Sequence, residues 1–394
     1  MIEAAQFVEA AREYGFEWYA GVPCSHLTPF INYVLQDRSL HYLSMTNEGD
    51  AVALIAGIAL GARAEGHGRG VAMMQNSGLG NAVSPLTSLT WTFHLPQLLI
   101  VTWRGQPGSH DEPQHALMGP ITPTLLETMQ IPWELFPRER DEIDPALRRA
   151  ASHMEETGRP YALLMQKGSV AACELKPGSQ QLQARGAKAQ PIVRLRGLAT
   201  ESRASRNDAL REVIARTPSS RCAVLATTGY CGRELYAIED RPNQLYMVGS
   251  MGCVLPLALG LALARPDLRV LAVDGDGAAL MRMGAFATAG AYGPPNFSHL
   301  LLDNGVHDST GGQATVSTHV SFAGIAASCG YASALQTDDL GEIAEWLDGS
   351  VLEGSRFACL LTRKGTPDSL PRPSVSPREL KLRWMQHFAP AGVR

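Results

Sequence analysis

The chain has 394 residues, of which 45% are apolar, and a formal net charge of −4 at pH 7. This size allows two or three ordinary domains, and the near-neutral charge argues against nucleic acid or an anionic membrane as a partner. The seven cysteines are scattered without a CxxC pair, which favours reduced thiols in the cytoplasm over disulfides or structural zinc. The longest apolar runs are too short for a membrane span, and the acidic, amphipathic N-terminus is unlike a signal peptide.

Helical and strand-like stretches alternate along the first half of the chain. Apolar residues recur with a helical period in some stretches, and short apolar runs bounded by Gly and Pro indicate strands in others. The pattern predicts helices over 3–14, 28–36 and 48–66, and strands within 16–23, 41–46, 70–77, 96–105 and 161–168. Such alternation predicts a parallel sheet that is covered by helices on both faces.

Residues 174–206 differ in character, because they contain no aromatic side chain and seven Lys or Arg against two Glu. We interpret them as an interdomain linker rather than as a basic docking segment. The second half then repeats the alternation, with helices predicted over 254–264 and 284–293 and strands within 222–230, 245–249, 269–277, 298–305 and 356–365. The sequence therefore predicts an α/β protein with two doubly wound parallel-sheet domains, at 1–173 and 207–394.

Polar residues follow two predicted strands of the second half. Asp276 lies between two glycines in VDGDGAAL, and Asn304 follows the next strand in LLDNG, with 26 residues between Gly277 and Asn304. That distance is about one strand–helix–strand unit, and ligands of parallel sheets bind beyond the carboxyl ends of strands. If the strands are neighbours, a carboxylate and an amide oxygen meet there and can bind Mg²⁺ together with ligand phosphates. For either residue alone, a helix cap or a turn is the simpler interpretation.

The paired spacing of GDG and Asn resembles the thiamine-diphosphate-binding signature of the thiamine-diphosphate-dependent 2-oxo acid decarboxylases. One departure is Asp303, because many members carry Asn there. The resemblance implies that Asp276, Asn304 and the backbone carbonyl of Val306 bind Mg²⁺. It also implies cofactor contacts from Thr228, Gly249, Met251, Gly275, Asp276, Gly277, Ala278 and Asn304, with Met251 under the junction of the two cofactor rings.

The resemblance extends to the first half, where TNEGDAVALIAGIALGA has Glu48 at the start of a helix of small residues. In the family, such a Glu hydrogen-bonds N1′ of the cofactor's pyrimidine, so Glu48 is implied as a catalytic residue. The position of His307, just past Asn304, makes it a candidate proton donor. Without the resemblance, an N-terminal helix Glu and a core Met251 are the simpler interpretations.

The chain has no central third domain of the kind that longer members carry. This compact form resembles the phosphonopyruvate decarboxylases and their relatives, the sulfopyruvate decarboxylases. Four strings resemble the former in particular: GVPCSHLTPF, QNSGLGNAVSPLTSL, RGQPGSHDEPQH and LLDNGVHDSTGGQ. The resemblance implies decarboxylation of 3-phosphonopyruvate to phosphonoacetaldehyde and CO₂, in the biosynthesis of phosphonates, antibiotics among them. Sulfopyruvate as the substrate, an acetolactate-type carboligase and a non-catalytic cofactor-binding module are the alternatives.

A small 2-oxo acid with two anionic groups needs cationic or N–H donors, which loops after the strands of the first half can offer. The planar fork of Arg104 suits a phosphonate or carboxylate, and the loop 105–116 could act as a lid. The candidate substrate residues are Ser25, His26, Asn76, Ser77, Arg104, His110 and His115. The resemblance further implies a homo-oligomer, at least a dimer, with active sites between subunits.

Overall fold

The structure, a computed structural model, describes residues 1–62, 68–179, 189–349 and 354–389. The chain divides into two compact units, Met1–Gln183 and Ala184–Arg394. The end of the predicted helix 48–66 and residues 180–188 of the predicted linker lie outside the described residues. Within those residues, no helix combines the length and the apolar character that crossing a membrane requires.

The first unit is a six-stranded parallel sheet with strand order β2-β1-β3-β4-β6-β5. Every residue of β4 and β6 is buried, because helices cover both faces of a parallel sheet. Its strands are β1 Phe16–Gly21, β2 His41–Ser44, β3 Arg69–Gln75, β4 Leu98–Thr102, β5 Trp133–Leu135 and β6 Tyr161–Met165. Its helices are α1 Ala4–Glu13, α2 Thr28–Gln36, α3 Glu48–Gly61, α4 Leu79–Pro85, α5 Trp91–Phe93, α6 Met118–Thr128 and α7 Arg140–Thr157.

The second unit has a seven-stranded parallel sheet with strand order β7-β14-β15-β11-β10-β8-β9, and a separate two-stranded antiparallel hairpin, β12–β13. Its strands are β7 Pro191–Arg194, β8 Cys222–Ala226, β9 Gln244–Tyr246, β10 Arg269–Gly275, β11 Phe297–Asp303, β12 Val306–His307, β13 Gln313–Ala314, β14 Ser333–Thr337 and β15 Arg356–Leu361. Its helices are α8 Arg206–Arg216, α9 Tyr230–Ile238, α10 Val254–Ala264, α11 Asp276–Met281, α12 Gly284–Tyr292, α13 Phe322–Cys329, α14 Leu340–Asp348 and α15 Pro377–His387. The prediction of two parallel-sheet α/β domains is confirmed.

The aromatic core of the first unit supports the loop after β1. Phe7 from α1, Phe30 from α2 and Phe136, which follows β5, pack with ring centroids 4.7 to 5.6 Å apart. All three side chains are buried, and each fully buried aromatic ring is worth a few kcal/mol, on the order of 3. This packing fixes α2, whose first turn directly follows the short 3₁₀ turn Ser25–Leu27.

Helix α3 is buried within its own unit. It packs against β1, β3 and α4, and its residues from Gly49 to Ile58 are all buried. The small side chains allow this close approach, because Ala and Gly leave little bulk between the helix and the sheet. Burial of this helix therefore does not require a second subunit.

Strand β7 lies inside the segment 174–206 that the sequence predicts to be a linker. It pairs in parallel with β14 and forms one edge of the second sheet. Its side chains are exposed, including Ile192 and Val193. The part of the segment around 191–194 therefore belongs to the second sheet, and the extent of the linker and the domain limits stay predictions.

Candidate active site

A cleft opens at the carboxyl ends of three neighbouring strands of the second sheet. Strand β10 lies between β8 and β11, so the residues that follow these strands meet at one edge. The cavity volume of the cleft is about 80 Å³, and a wider space of about 510 Å³ around it includes open solvent. Its lining includes nine residues that the sequence predicted for cofactor, metal or catalysis: Thr228, Met251, Gly275, Asp276, Gly277, Ala278, Asn304, Val306 and His307. Gly249 lies outside this lining, two residues before Met251 in the turn after β9.

Asp276 is a buried carboxylate at the first residue of α11. Its side chain is 4% exposed, and Thr315 Oγ1 donates a hydrogen bond to Asp276 Oδ2 at 2.5 Å. Burial raises the pKa of Asp276 to about 6, and the nearby charge of Asp303 adds to the shift. Asp303 itself accepts hydrogen bonds from Ser317 Oγ and Gly305 N, and burial raises its pKa as well.

The segment after β11 turns the Asn304 side chain into the same cleft. Asn304 Nδ2 donates to Asp308 Oδ2 at 2.7 Å, and Asn304 Oδ1 accepts from Val306 N at 3.1 Å. Gly305 has a φ of 71°, a left-handed conformation that glycine adopts without strain. The hairpin β12–β13 then returns the chain, so that Thr315 N bonds to Gly305 O next to Asp276.

Gly277 makes room for two of the predicted side chains. A Cβ added there would lie 2.4 Å from His307 Cε1 and 3.2 Å from Met251 Cε. The ring of His307 and the tip of Met251 therefore pack directly over the glycine backbone. Any larger residue at this position would displace the histidine ring.

The charges of the cleft fit a metal-bound diphosphate. Among the described residues of its lining, three are carboxylates, Asp274, Asp276 and Asp308, and one is a guanidinium, Arg206. Arg206 is already paired with Asp308 and with the buried Glu234. A diphosphate entering alone would meet net negative charge. A divalent cation bound by carboxylate and amide oxygens would offset the negative charge of the carboxylates and that of the diphosphate. The donor set thus suits Mg²⁺ and a diphosphate.

In the first unit, Glu48 is the first residue of α3, as the sequence predicted. Asn47 caps the helix by accepting a hydrogen bond from Gly49 N at 2.8 Å. Asn81 Nδ2 donates to Glu48 Oε2 at 2.8 Å, and a Cβ at Gly78 would lie 2.4 Å from Glu48 Cγ. The Glu48 carboxyl group is therefore held between an amide donor and a glycine backbone.

The candidate substrate residues of the first unit cluster at adjacent strand ends. Ser25 and His26 follow β1, Asn76 and Ser77 follow β3, and Arg104 follows β4, and these three strands are neighbours in the sheet. Burial and the charge of Arg104 lower the pKa of His26. His115 is 5% exposed, whereas His110 is exposed on the loop between Gly105 and His115.

The fork of Arg104 is occupied by a carboxylate of its own loop. Arg104 Nε and Nη2 donate to the two oxygens of Asp111 at 2.8 and 2.5 Å, and Gly105 N also donates to Asp111. This pairing holds the pKa of Asp111 well below its usual range. Asn76 Nδ2 in turn donates to Arg104 O and to Thr122 Oγ1. Substrate binding by Arg104 stays a prediction, and it would use the guanidinium edge that Asp111 leaves open.

Four partner residues were missing from the sequence-based set: Asn81 beside Glu48, Asp111 beside Arg104, Thr315 beside Asp276 and Asp308 beside Asn304. Asn81, Asp111 and Asp308 lie within three of the strings that carry the resemblance, QNSGLGNAVSPLTSL, RGQPGSHDEPQH and LLDNGVHDSTGGQ. Thr315 lies outside these strings, because a hydroxyl becomes a partner only through the tertiary fold.

Comparison with known proteins identifies relatives of this chain. The thiamine pyrophosphate enzyme C-terminal TPP-binding domain family matches residues 228–360. The chain is 42% identical to the phosphonopyruvate decarboxylase of Streptomyces viridochromogenes, over 100% of this chain and 97% of that protein. Identity to the phosphonopyruvate decarboxylase of Streptomyces hygroscopicus is 40%, over 98% of this chain and 94% of that protein.

Two further comparisons concern more distant proteins, one by sequence and one by structure. The sulfopyruvate decarboxylase of Methanosarcina acetivorans is 26% identical, over 96% of each chain. Among solved structures, a thiamin diphosphate-dependent enzyme of Mycobacterium smegmatis superposes with a TM-score of 0.70 at 12% identity, covering 93% of this chain and 100% of that chain. At such low identity, this likeness concerns the fold alone.

Proposed function

This chain belongs to the family of the phosphonopyruvate decarboxylases, and we propose that it decarboxylates 3-phosphonopyruvate to phosphonoacetaldehyde and CO₂ with thiamine diphosphate and Mg²⁺. The observation that carries the choice of substrate is the higher identity to the phosphonopyruvate decarboxylases than to the sulfopyruvate decarboxylase, over nearly the whole chain in each case. Sulfopyruvate is the second candidate, because the cationic and N–H donors after β1, β3 and β4 suit either anion.

In this proposal, bound thiamine diphosphate supplies a carbon nucleophile and a sink for the electron pair that CO₂ leaves behind. Asp276, Asn304 and the carbonyl of Val306 would hold the Mg²⁺ ion, whose charge would favour binding of the diphosphate. Glu48 would hydrogen-bond the pyrimidine nitrogen with a carboxyl group that accepts a hydrogen bond from Asn81 Nδ2. His307 would deliver the proton that replaces CO₂, and its ring packs on Gly277 within the same cleft.

We further propose a homo-oligomer, at least a dimer, in which residues of two chains complete each active site. The support is the resemblance to the family, in which the active sites lie between subunits. Here Glu48 would face the pyrimidine and Asp276 the diphosphate of one cofactor, and these residues belong to different compact units. A mass of only 42.4 kDa by sedimentation equilibrium in the presence of cofactor would contradict this proposal.

A cytoplasmic location is proposed as well, because all seven cysteines are free thiols. Cell fractionation that recovers the protein outside the cytoplasm would contradict that location.

The test of the substrate is CO₂ release from phosphonopyruvate, sulfopyruvate and pyruvate, measured in parallel with thiamine diphosphate and Mg²⁺. We expect phosphonopyruvate to be turned over with the highest kcat/KM and activity to disappear when EDTA removes the metal. A higher kcat/KM for sulfopyruvate would keep the chemistry and overturn the substrate. Cofactor binding without release of CO₂ from any of the three acids would favour a carboligase.

Gly78 offers a test of how strictly the Glu48 carboxyl group must be placed. We expect Gly78→Ala to lower kcat by about 10²-fold, since misplacing a catalytic group by about 1 Å can cost that much. The reason is that the new Cβ would lie 2.4 to 2.6 Å from Glu48 Cγ, Cδ and Oε1, although the φ of −70° at Gly78 suits alanine. The measurement is steady-state turnover of phosphonopyruvate at saturating cofactor.

The matched control for this variant is Gly80→Ala, two residues further along. A Cβ at Gly80 would meet no atom within 4 Å, and the residue lies inside α4. Alanine there is expected to keep the wild-type kcat and to stabilise the helix by about 0.5–1 kcal/mol. Equal kcat values for the two variants would show that the Glu48 contact with Gly78 has no part in the reaction.

A further inference from the structure

The orientation of the Asn304 side chain is fixed by two neighbours. Its Nδ2 donates to Asp308 Oδ2 at 2.7 Å, and its Oδ1 accepts from Val306 N at 3.1 Å. If the amide were turned over, its oxygen would face the carboxylate and its NH₂ would face the backbone N–H. Two hydrogen bonds would become two repulsive contacts, so only one orientation is stable.

Asp308 is itself held in place by an ion pair. Arg206 Nη1 donates to Asp308 Oδ2 at 3.2 Å, and Gly365 N approaches both carboxylate oxygens at 3.3 Å. Arg206 is anchored from the other side, because its Nε and Nη2 donate to Glu234 Oε1 at 2.9 and 2.8 Å. Arg206 is 9% exposed and Glu234 is fully buried, so solvent screens these contacts weakly.

We infer that Asp308, held by Arg206, is a positioning residue that keeps the amide oxygen of Asn304, rather than its nitrogen, available to the cation beside Asp276. The inference rests on the proposed function, since that function supplies the cation. The oxygen is required because an amide NH₂ is a donor and Mg²⁺ binds oxygen ligands. Partners of this kind commonly change metal affinity when they are lost, although they never touch the metal.

The test is the affinity for Mg²⁺ in the presence of saturating thiamine diphosphate, measured by titration calorimetry on the full chain. We expect Asp308→Ala to weaken Mg²⁺ binding by about 10–100-fold. Asp308→Asn keeps an acceptor oxygen for Asn304 Nδ2, so its affinity is expected between those of the wild type and Asp308→Ala. The control is Asp348→Ala, which removes an exposed carboxylate that pairs with Arg216 at 3.0 Å and is expected to leave Mg²⁺ affinity unchanged.

A double variant separates positioning from a merely structural role. In Asn304→Asp with Asp308→Ala, residue 304 carries two equivalent oxygens and needs no partner to orient it. We expect this double variant to recover most of the Mg²⁺ affinity that Asp308→Ala loses, and it remains informative if the single variant does not fold. A structural defect at position 308 would not be repaired by a change at position 304.

The outcomes separate this inference from the proposed function. Failure of the wild-type chain to bind Mg²⁺ and thiamine diphosphate would overturn both. Normal binding by the wild type together with unchanged affinity in Asp308→Ala would overturn the positioning role alone. A loss of affinity that the double variant does not recover would also overturn it, in favour of a structural role for Asp308.

Discussion

Glu48→Gln is expected to lower kcat for phosphonopyruvate by about 10²–10⁴-fold, the range for loss of a group that transfers or shares a proton. Glutamine has nearly the same shape, so it keeps the contact with Gly78 and the amide of Asn81. It cannot share a carboxyl proton with the pyrimidine nitrogen, however. The measurement is steady-state CO₂ release at saturating thiamine diphosphate and Mg²⁺, with cofactor affinity measured separately by calorimetry.

The control for this change is Glu142→Gln in the same unit. Glu142 lies in the first turn of α7 and accepts hydrogen bonds from Arg138 N and Glu139 N. It therefore shares with Glu48 the helix N-terminal setting but not the predicted role, and its variant is expected to keep the wild-type kcat. Wild-type turnover by Glu48→Gln would refute the catalytic role of Glu48. A loss of cofactor binding in place of kcat would assign Glu48 to binding instead.

Asp276→Asn is expected to abolish Mg²⁺-dependent binding of thiamine diphosphate and, at the same time, to stabilise the cofactor-free protein. Burial raises the pKa of Asp276 from 3.8 to about 6, so the ionised carboxylate costs the folded state roughly 3 kcal/mol above pH 6. Asparagine carries no charge and still accepts the hydrogen bond from Thr315 Oγ1. Below about pH 4 the carboxyl group is neutral in both the folded and unfolded chains, so the stability gain disappears there.

The measurement is the thermal midpoint of both proteins at several pH values, with and without Mg²⁺ and cofactor. Asp338→Asn is the control, and we expect it to change the thermal midpoint in the opposite direction. Asp338 is also buried, but it accepts hydrogen bonds from Arg196 N and Leu198 N, and its pKa is lowered. Its ionised form stabilises the fold, so asparagine there is expected to lower the midpoint at neutral pH. A lower midpoint for cofactor-free Asp276→Asn at pH 7.5 would contradict the burial cost.

Local sequence signals predicted the elements that position the two halves of the site. The helix predicted over 28–36 is α2 with the same limits, and α3 begins at Glu48 as expected. In the second half, the strand that ends in VDGDG is β10, and its neighbour is β11 as the metal site required. These segments have clear apolar periods and glycines at the turns, which is why the local sequence pattern predicted them.

Other elements were not predicted from the sequence. Some have weak local signals, and others depend on distant partners in the chain. Strand β7 lies in a polar, basic stretch and exists as a strand because the edge of β14 accepts it. Strand β14 alternates poorly, with the sequence SALQT. Helix α7 was missed although Ile143, Leu147 and Met154 recur with a helical period on its buried face. The sequence of α7 therefore contains a helical signal, and leaving this helix out of the prediction was wrong.

The electrostatic partners of the site could not be predicted in the same way. Arg104 carries a side chain suited to an anionic substrate, and nothing local indicates that Asp111 already occupies its fork. The orientation of Asn304 depends on Arg206, which lies about a hundred residues earlier in the chain and reaches it through Asp308. Such contacts arise from tertiary packing, and residue type alone decides only which contacts are possible.

The hairpin after β11 has a consequence for how this enzyme can diverge. Asn304, Val306, His307 and Asp308 lie within five consecutive positions, and each faces the same cleft. Inserting or deleting one residue there would shift the proposed metal-binding groups and the proposed proton donor together. A substitution at position 307 is therefore expected to leave the other groups of the segment in place, whereas a change in the length of the segment is not.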